Sequence, residues 1–398
     1  MEHSVKAQRN YGIDLLKMFS MFLVVILHVL GQGGILYNTE ILSVNYNVAW
    51  CMELTAFCAV NCFALASGYV GINSNYKFSR IIYLWAVTVF YGIMSNIIFS
   101  CCGADLSLRM WKAAFMPFLY GNMSGFYWYF TAYAVTFLFI PFFNHLINSL
   151  NKKQATLLVA ALLFVFSAVP TIKGNDYFST TNGYSYAWIS TLYIIGAYLK
   201  KFEIGKNTKT KIIAIYTTGS MLVTCLGHIM LDYISVNLLS KDISGEVDMV
   251  SNPYALDSNY LSGSMFANYT FPTIVLNAVL LLLLFSRIDI RNTKVQERIK
   301  EFSALTFSVY LIHTNKLVFE NILSGLFESV AKLNPIIMIL AVIGLAMLIY
   351  VICIMIDMIR YELFKLIKIN NLCELTVQKV LLFARKINKK NENGEKVH

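Results

Sequence analysis

The run Tyr11–Gly31 (YGIDLLKMFSMFLVVILHVLG) is long enough to cross a bilayer, since a spanning helix needs about 20 mostly apolar residues. The hydrocarbon interior offers no water to the backbone, so a chain carrying such runs must fold there as helices or as a closed barrel. Yet this run holds Asp14, Lys17 and His28. An ionisable group at the centre of a membrane helix costs at least about 2.5–3.5 kcal/mol, so such residues usually face a cavity and have work to do. At about 3.6 residues and 5.4 Å per turn, Lys17 and His28 fall on one helix face about 16 Å apart, with Asp14 one turn below Lys17. One face thus lines up an acid, a cation and an imidazole along the membrane normal.

The rest of the chain repeats the pattern. Apolar segments occupy about 11–31, 48–72, 81–101, 125–146, 155–171, 186–199, 212–234, 266–286, 303–327 and 334–357. A composition 57% hydrophobic, only 14% charged and with mean hydropathy +0.60 lies outside the soluble globular range. With six prolines and long apolar runs, helices are expected rather than a barrel of short alternating strands. The fold class expected is an all-α integral membrane protein, a bundle of about ten transmembrane helices. Residues 1–360 form its membrane domain, and 361–398 form a basic tail, amphipathic and then disordered. Tyr11–Gly31 is too long for the apolar core of a cleavable signal peptide, and no small-residue cleavage site follows it.

The net charge of +10 is a matter of topology, not of nucleic-acid binding. If the N-terminus is inside, 25 of the 32 basic residues fall in cytoplasmic stretches and five outside, leaving Lys17 and Lys316 within spans. The positive-inside rule then puts both termini in the cytoplasm. Trp50, Trp111, Trp128 and Trp188 fall at or near the outer interface, as an aromatic belt requires. The eight cysteines show no metal-ligand spacing, and no metal or tightly bound cofactor is expected. No GxSxG, P-loop or HExxH sequence occurs, which leaves serine hydrolase, nucleotide hydrolase and zinc protease readings without support.

Several motifs in order resemble a known family. They are Ile13-Asp14-Leu15-Leu16-Lys17 with His28; Phe63-Ala64-Leu65-Ala66-Ser67-Gly68-Tyr69; Lys77 and Arg80 opening the third span; Trp128-Tyr129-Phe130 with Pro141; Gly196-Ala197-Tyr198-Leu199; and Ser308-Val309-Tyr310-Leu311-Ile312-His313. Together they are similar to the membrane-bound acyltransferase type 3 family over nearly the whole chain. The resemblance implies transfer of an acyl group, usually acetyl, from cytoplasmic acyl-CoA to an extracytoplasmic carbohydrate hydroxyl. The family pattern has Arg where Lys17 stands; Lys keeps the charge without the bidentate fork.

The residues fit that chemistry. Acyl transfer to a hydroxyl needs a base or a nucleophile, and histidine serves as either near neutral pH. His28, about 25 Å up its span, is assigned catalysis with Lys17 and Asp14 below it. Lys77 and Arg80, near one inner helix end, are assigned the phosphates of acetyl-CoA. Glu53, Trp128 and His313 are assigned to the acceptor, a surface polysaccharide or glycan. His313 begins a second polar stripe with Lys316 and Glu320, whereas His228 with Asp232 and His145 at a helix end read as structural. The location expected is the inner (cytoplasmic) membrane, with the lipid bilayer as partner and no nucleic acid. The competing class is a secondary transporter using a buried Asp/Lys/His relay, against which the chain shows no inverted halves.

Overall fold

A computed structural model describes residues 9–120, 127–241, 243 and 262–394. Lys6, one of the basic residues counted above, and Asp242, Glu246, Asp248 and Asp257, the acidic residues of the long loop between the seventh and eighth apolar segments, lie outside them. Among the described residues every regular element is helical, with no strand. In chain order the helices are α1 (Tyr11–Leu30), α2 (Val44–Ala56), α3 (Ala59–Gly71), α4 (Ser79–Cys101), α5 (Leu108–Phe115) and α6 (Trp128–Ser149). Then come α7 (Lys152–Leu163), α8 (Tyr186–Lys201), α9 (Thr210–Asn237), α10 (Pro272–Phe285), α11 (Thr293–His313), α12 (Pro335–Leu366) and α13 (Ile369–Gly394).

Seven helical stretches among the described residues are long and apolar enough to cross a membrane. They are α1, α4, α6, α9, α12, the α2–α3 pair read as Val44–Gly71, and Lys152–Lys173, in which α7 continues through a π turn. The other three expected segments are helical but shorter or interrupted. α8 is a 16-residue helix and α10 has 14 residues. The segment expected at 303–327 is no single helix: α11 begins earlier, at Thr293, and stops at His313. Thr314 caps its end, the Asn315 side chain accepts from the Leu317 amide to start a new turn, and a short π turn, Phe319–Leu323, follows. The tail helix α13 runs from Ile369 to Gly394.

Close packing sets α3 against α8. A Cβ on Gly68 would fall 1.9 Å from the Tyr193 carbonyl oxygen, and one on Gly196 would fall 2.1 Å from that of Leu65. Small residues let two backbones approach in a membrane, where packing rather than the hydrophobic effect drives helix association. Asn61, between them, accepts from the Trp188 indole and donates to the Tyr269 carbonyl, so its amide is buried but satisfied. α1 crosses the middle of the bundle, packed on α3, α11, α10 and α12. Gly12 meets the Phe285 carbonyl at the start of α1, and the loop beyond it is tied by Gly325 and Phe327 amides donating to Gln32 and Gly33 carbonyls. Where α12 meets α4, Arg360 forms a buried bidentate pair with Asp357 and donates to the hydroxyl of the half-buried Tyr83.

One end of the bundle carries Lys17, Lys77, Arg80, Lys201 and Arg287, and the other carries Trp50, Trp128 and Trp188. These are called the basic and aromatic ends below. α1 runs from the basic end to the aromatic end, whereas α3 and α6 run the opposite way.

Candidate functional site

Two cavities lie along α1. The larger, of about 550 Å³, opens at the basic end. Lys17 reaches it from α1, Ser67 and Gly71 from α3, Arg80 from α4 with Lys77 just before it, and Tyr133 from α6. Three cations, one from α1 and two at the start of α4, therefore meet in one hollow. The acid in its wall is Glu374 of α13, whose carboxylate stands 3.9 Å from the Lys77 ammonium with both groups largely exposed. A hollow with three cations and one carboxylate suits a polyanionic ligand, and its position at a solvent-open mouth avoids the cost of burying charge.

The smaller cavity, of about 50 Å³, lies toward the aromatic end. His28 enters it from α1, above Met21 and Val24. Phe63 of α3, Trp128 and Tyr129 of α6, Tyr310 of α11 and Tyr269 supply the aromatic wall. The two cavities are lined by consecutive turns of the same three helices. On α1 the order is Lys17, Met21, Val24, His28; on α3 it is Ser67, Phe63, Val60; on α6 it is Tyr133, then Tyr129. Tyr129 and Tyr133 stack with ring centres 6.2 Å apart, forming a continuous face from one cavity to the next.

The expected residues distribute unevenly over this column. His28, Lys17, Lys77, Arg80 and Trp128 line it. Asp14 lies beside it, bound by Arg9 at 2.6 Å, by Ser303 at 3.4 Å and by Lys17 at 3.8 Å, the position of a counter-charge that holds the ammonium. His313 touches His28 itself: Nε2 of His313 lies 2.8 Å from Nδ1 of His28. Phe319 sets its ring edge-on against His28, and its carbonyl accepts from Gln32, so the π turn after α11 folds over the imidazole. Glu53 is buried on α2, with one carboxylate oxygen lacking a hydrogen-bond partner, and lines neither cavity.

The sequence analysis assigns no site role to Tyr133, Tyr269 or Glu374, and Tyr310 enters it only as part of the motif ending at His313. The spacing Tyr129–Tyr133–Phe137–Ile140 marks one face of α6 and was there to be read; Glu374 sits on a charged amphipathic helix that looks like any solvated surface. Two other polar clusters stay apart from the column. His228 and Asp232 on α9 are fully enclosed, and Lys316 pairs with Glu320 at 3.8 Å on the bundle surface. Among the described residues no three His, Cys, Asp or Glu side chains converge as a metal site would need.

A family model described as an acyltransferase domain matches residues 10–357, nearly the whole described bundle. No curated protein and no solved structure matches the chain. The match stops short of α13, so Glu374 and its neighbours Asn370 and Cys373 join the larger cavity from beyond the matched domain.

Proposed function

Because the chain belongs to the acyltransferase family matched over residues 10–357, we propose that it moves an acetyl group from cytoplasmic acetyl-CoA to a hydroxyl of an extracytoplasmic polysaccharide. The observation that carries this reading is the single column joining a three-cation hollow to an imidazole about three helical turns away. In this reading the basic end faces the cytoplasm, in line with the positive-inside rule, and the membrane is the inner one. CoA phosphates meet Lys77, Arg80 and Lys17, and the thioester arm rises along α1, α3 and α6 toward His28. The cavities are discrete, so passage of the arm needs the rings of Tyr129 and Tyr133 to turn aside.

At the top, His28 takes the proton of the acceptor hydroxyl as its oxygen attacks the thioester carbonyl. The carbon–sulfur bond breaks, and the CoA thiolate leaves with the proton His28 returns. The sugar keeps the new ester. The aromatic wall of Trp128, Tyr129 and Tyr269 offers flat apolar faces with hydroxyl edges, a surface suited to a carbohydrate ring. The transporter alternative draws no support from the family match.

The direct test compares ester-linked acetate on surface glycans of cells with and without this gene, and in vesicles given radiolabelled acetyl-CoA. Equal acetate in both strains, with no label transferred, would sink the acyl-transfer reading. Orientation is tested separately by Cys101 and Cys102, two exposed thiols at the aromatic end. A membrane-impermeant thiol reagent on intact cells should label them, and should not label a cysteine placed at Asn207 in a Cys101→Ser, Cys102→Ser background.

A further inference from the structure

The hydrogen bonds around His313 fix which ring nitrogens carry hydrogen. Nδ1 of His313 lies 2.5 Å from the Val309 carbonyl oxygen, one turn back on α11. A carbonyl only accepts, so this nitrogen must be the N–H of the ring. A neutral imidazole has one N–H, which leaves Nε2 of His313 with its lone pair. That lone pair faces Nδ1 of His28 at 2.8 Å, so Nδ1 of His28 must in turn carry its hydrogen. The ring nitrogen left to His28 as a base is then Nε2.

From this chain of contacts we propose that His313 is a positioning residue, which holds His28 in the tautomer whose Nε2 can accept a proton in the smaller cavity. The proposal rests on the reading of His28 as the base in acyl transfer. Neither ring has a carboxylate partner among the described residues, and both sit in an apolar wall, which favours the neutral pair this assignment requires. When His28 takes the hydroxyl proton at Nε2, the new imidazolium donates a charge-assisted hydrogen bond from Nδ1 to His313. The relay ends at His313, because its other nitrogen already donates to the Val309 carbonyl, which cannot take a proton. The proton returns from the same Nε2 to the thiolate.

His313 is built to hold still. It is the last residue of α11 and is 2% exposed. The Leu311 carbonyl accepts from the Tyr127 hydroxyl at 2.8 Å, and that hydroxyl accepts from the Asn315 amide at 2.9 Å. Ser95 of α4 closes the frame by donating to the Asn315 side-chain oxygen at 2.7 Å. α4 and the residue preceding α6 thus hold the chain on both sides of one imidazole, and its ring plane follows.

The test reads the tautomer directly, without any substrate. In protein labelled with ¹⁵N at its six histidines, the His28 signal is the one lost in His28→Gln. Wild type should show His28 protonated at Nδ1, and His313→Ala should show a mixture of tautomers. His313→Gln should keep the Nδ1–H form, because its amide oxygen can accept in place of Nε2. His28 protonated at Nε2 in wild type, or an unchanged tautomer in His313→Ala, would overturn the proposal. If His313→Ala does not fold, the wild-type and His313→Gln spectra still decide. In the acetylation assay, His313→Ala should lower kcat about 10²-fold with the acetyl-CoA KM unchanged, and His313→Gln should recover most of it. Equal losses in both variants would leave His313 a purely structural role. Absence of acetylation in wild type would remove the acyl-transfer reading while the spectra still report on the ring.

Discussion

His28 and His228 look alike in the sequence, each a histidine within an apolar helix, yet their surroundings differ in kind. His228 is 0% exposed, with Nε2 3.2 Å from an Asp232 oxygen, although off the line of a good hydrogen bond. Asp232 is also the acceptor for the Tyr46 hydroxyl at 2.9 Å and the Gly263 amide at 2.7 Å. The Trp50 ring covers the imidazole at 4.7 Å, and a Cβ on Gly263 would collide with it. Nothing can approach that ring. His28 has a neutral partner instead of a carboxylate, and its edge opens on a cavity. A buried histidine with a carboxylate and three neighbouring walls ties helices together; one with a neutral acceptor and an open edge is free to exchange a proton.

The largest effect that tests this contrast is expected at His28. His28→Gln keeps hydrogen bonding but cannot take a proton near neutral pH, and should lower acetylation by about 10²–10⁴-fold with normal membrane levels. Full activity in that variant would reduce His28 to the same structural standing as His228. At His228 the opposite split is expected: His228→Ala empties a fully buried site beneath Trp50 and should cost about 1–3 kcal/mol of stability. Thermal unfolding in detergent measures it, and kcat per folded molecule should stay unchanged. A lost kcat at full stability would place the second histidine in the chemistry.

Smaller effects sharpen the picture of the three-cation hollow proposed for the donor. Lys77→Gln with Arg80→Gln should raise the acetyl-CoA KM roughly tenfold, the scale of a charged hydrogen bond on a solvent-open surface, and added salt should weaken the wild type in the same direction. An unchanged KM would return both residues to topology anchors. Glu374→Gln is the mildest: removing the carboxylate beside Lys77 should lower the donor KM by about two- to threefold, since exposed ion pairs are worth at most about 1 kcal/mol. A raised KM would mean that Glu374 helps to hold the donor and does not compete with it.

Much of the site is legible in the sequence alone. Lys17 and His28 share a face because helical periodicity is local, and Lys77 and Arg80 stand at a helix start because charge avoids the hydrocarbon. The contact between His28 and His313 was not legible, because the two rings are separated by 285 positions and α11 had to end where it does. The expected span over 303–327 hid this ending. Hydropathy averages over a window and cannot see that Asn315 caps the start of a new turn at Leu317.

By itself the sequence determined the helical class, the membrane-length runs, the sorting of basic and aromatic residues to opposite ends, and the family. All of these follow from properties of neighbouring residues or short windows. Tertiary structure decided which polar residues meet. Gly68 and Gly196 bring α3 and α8 into backbone contact, α1 is held in the middle of the bundle, and α13 adds Glu374 to a cavity from beyond the matched domain. It also separated the two buried histidines, one enclosed with a carboxylate and one set against a second imidazole at a cavity edge. The physical reason is that packing between helices depends on close fits among distant residues, and a periodic pattern along one helix does not contain them.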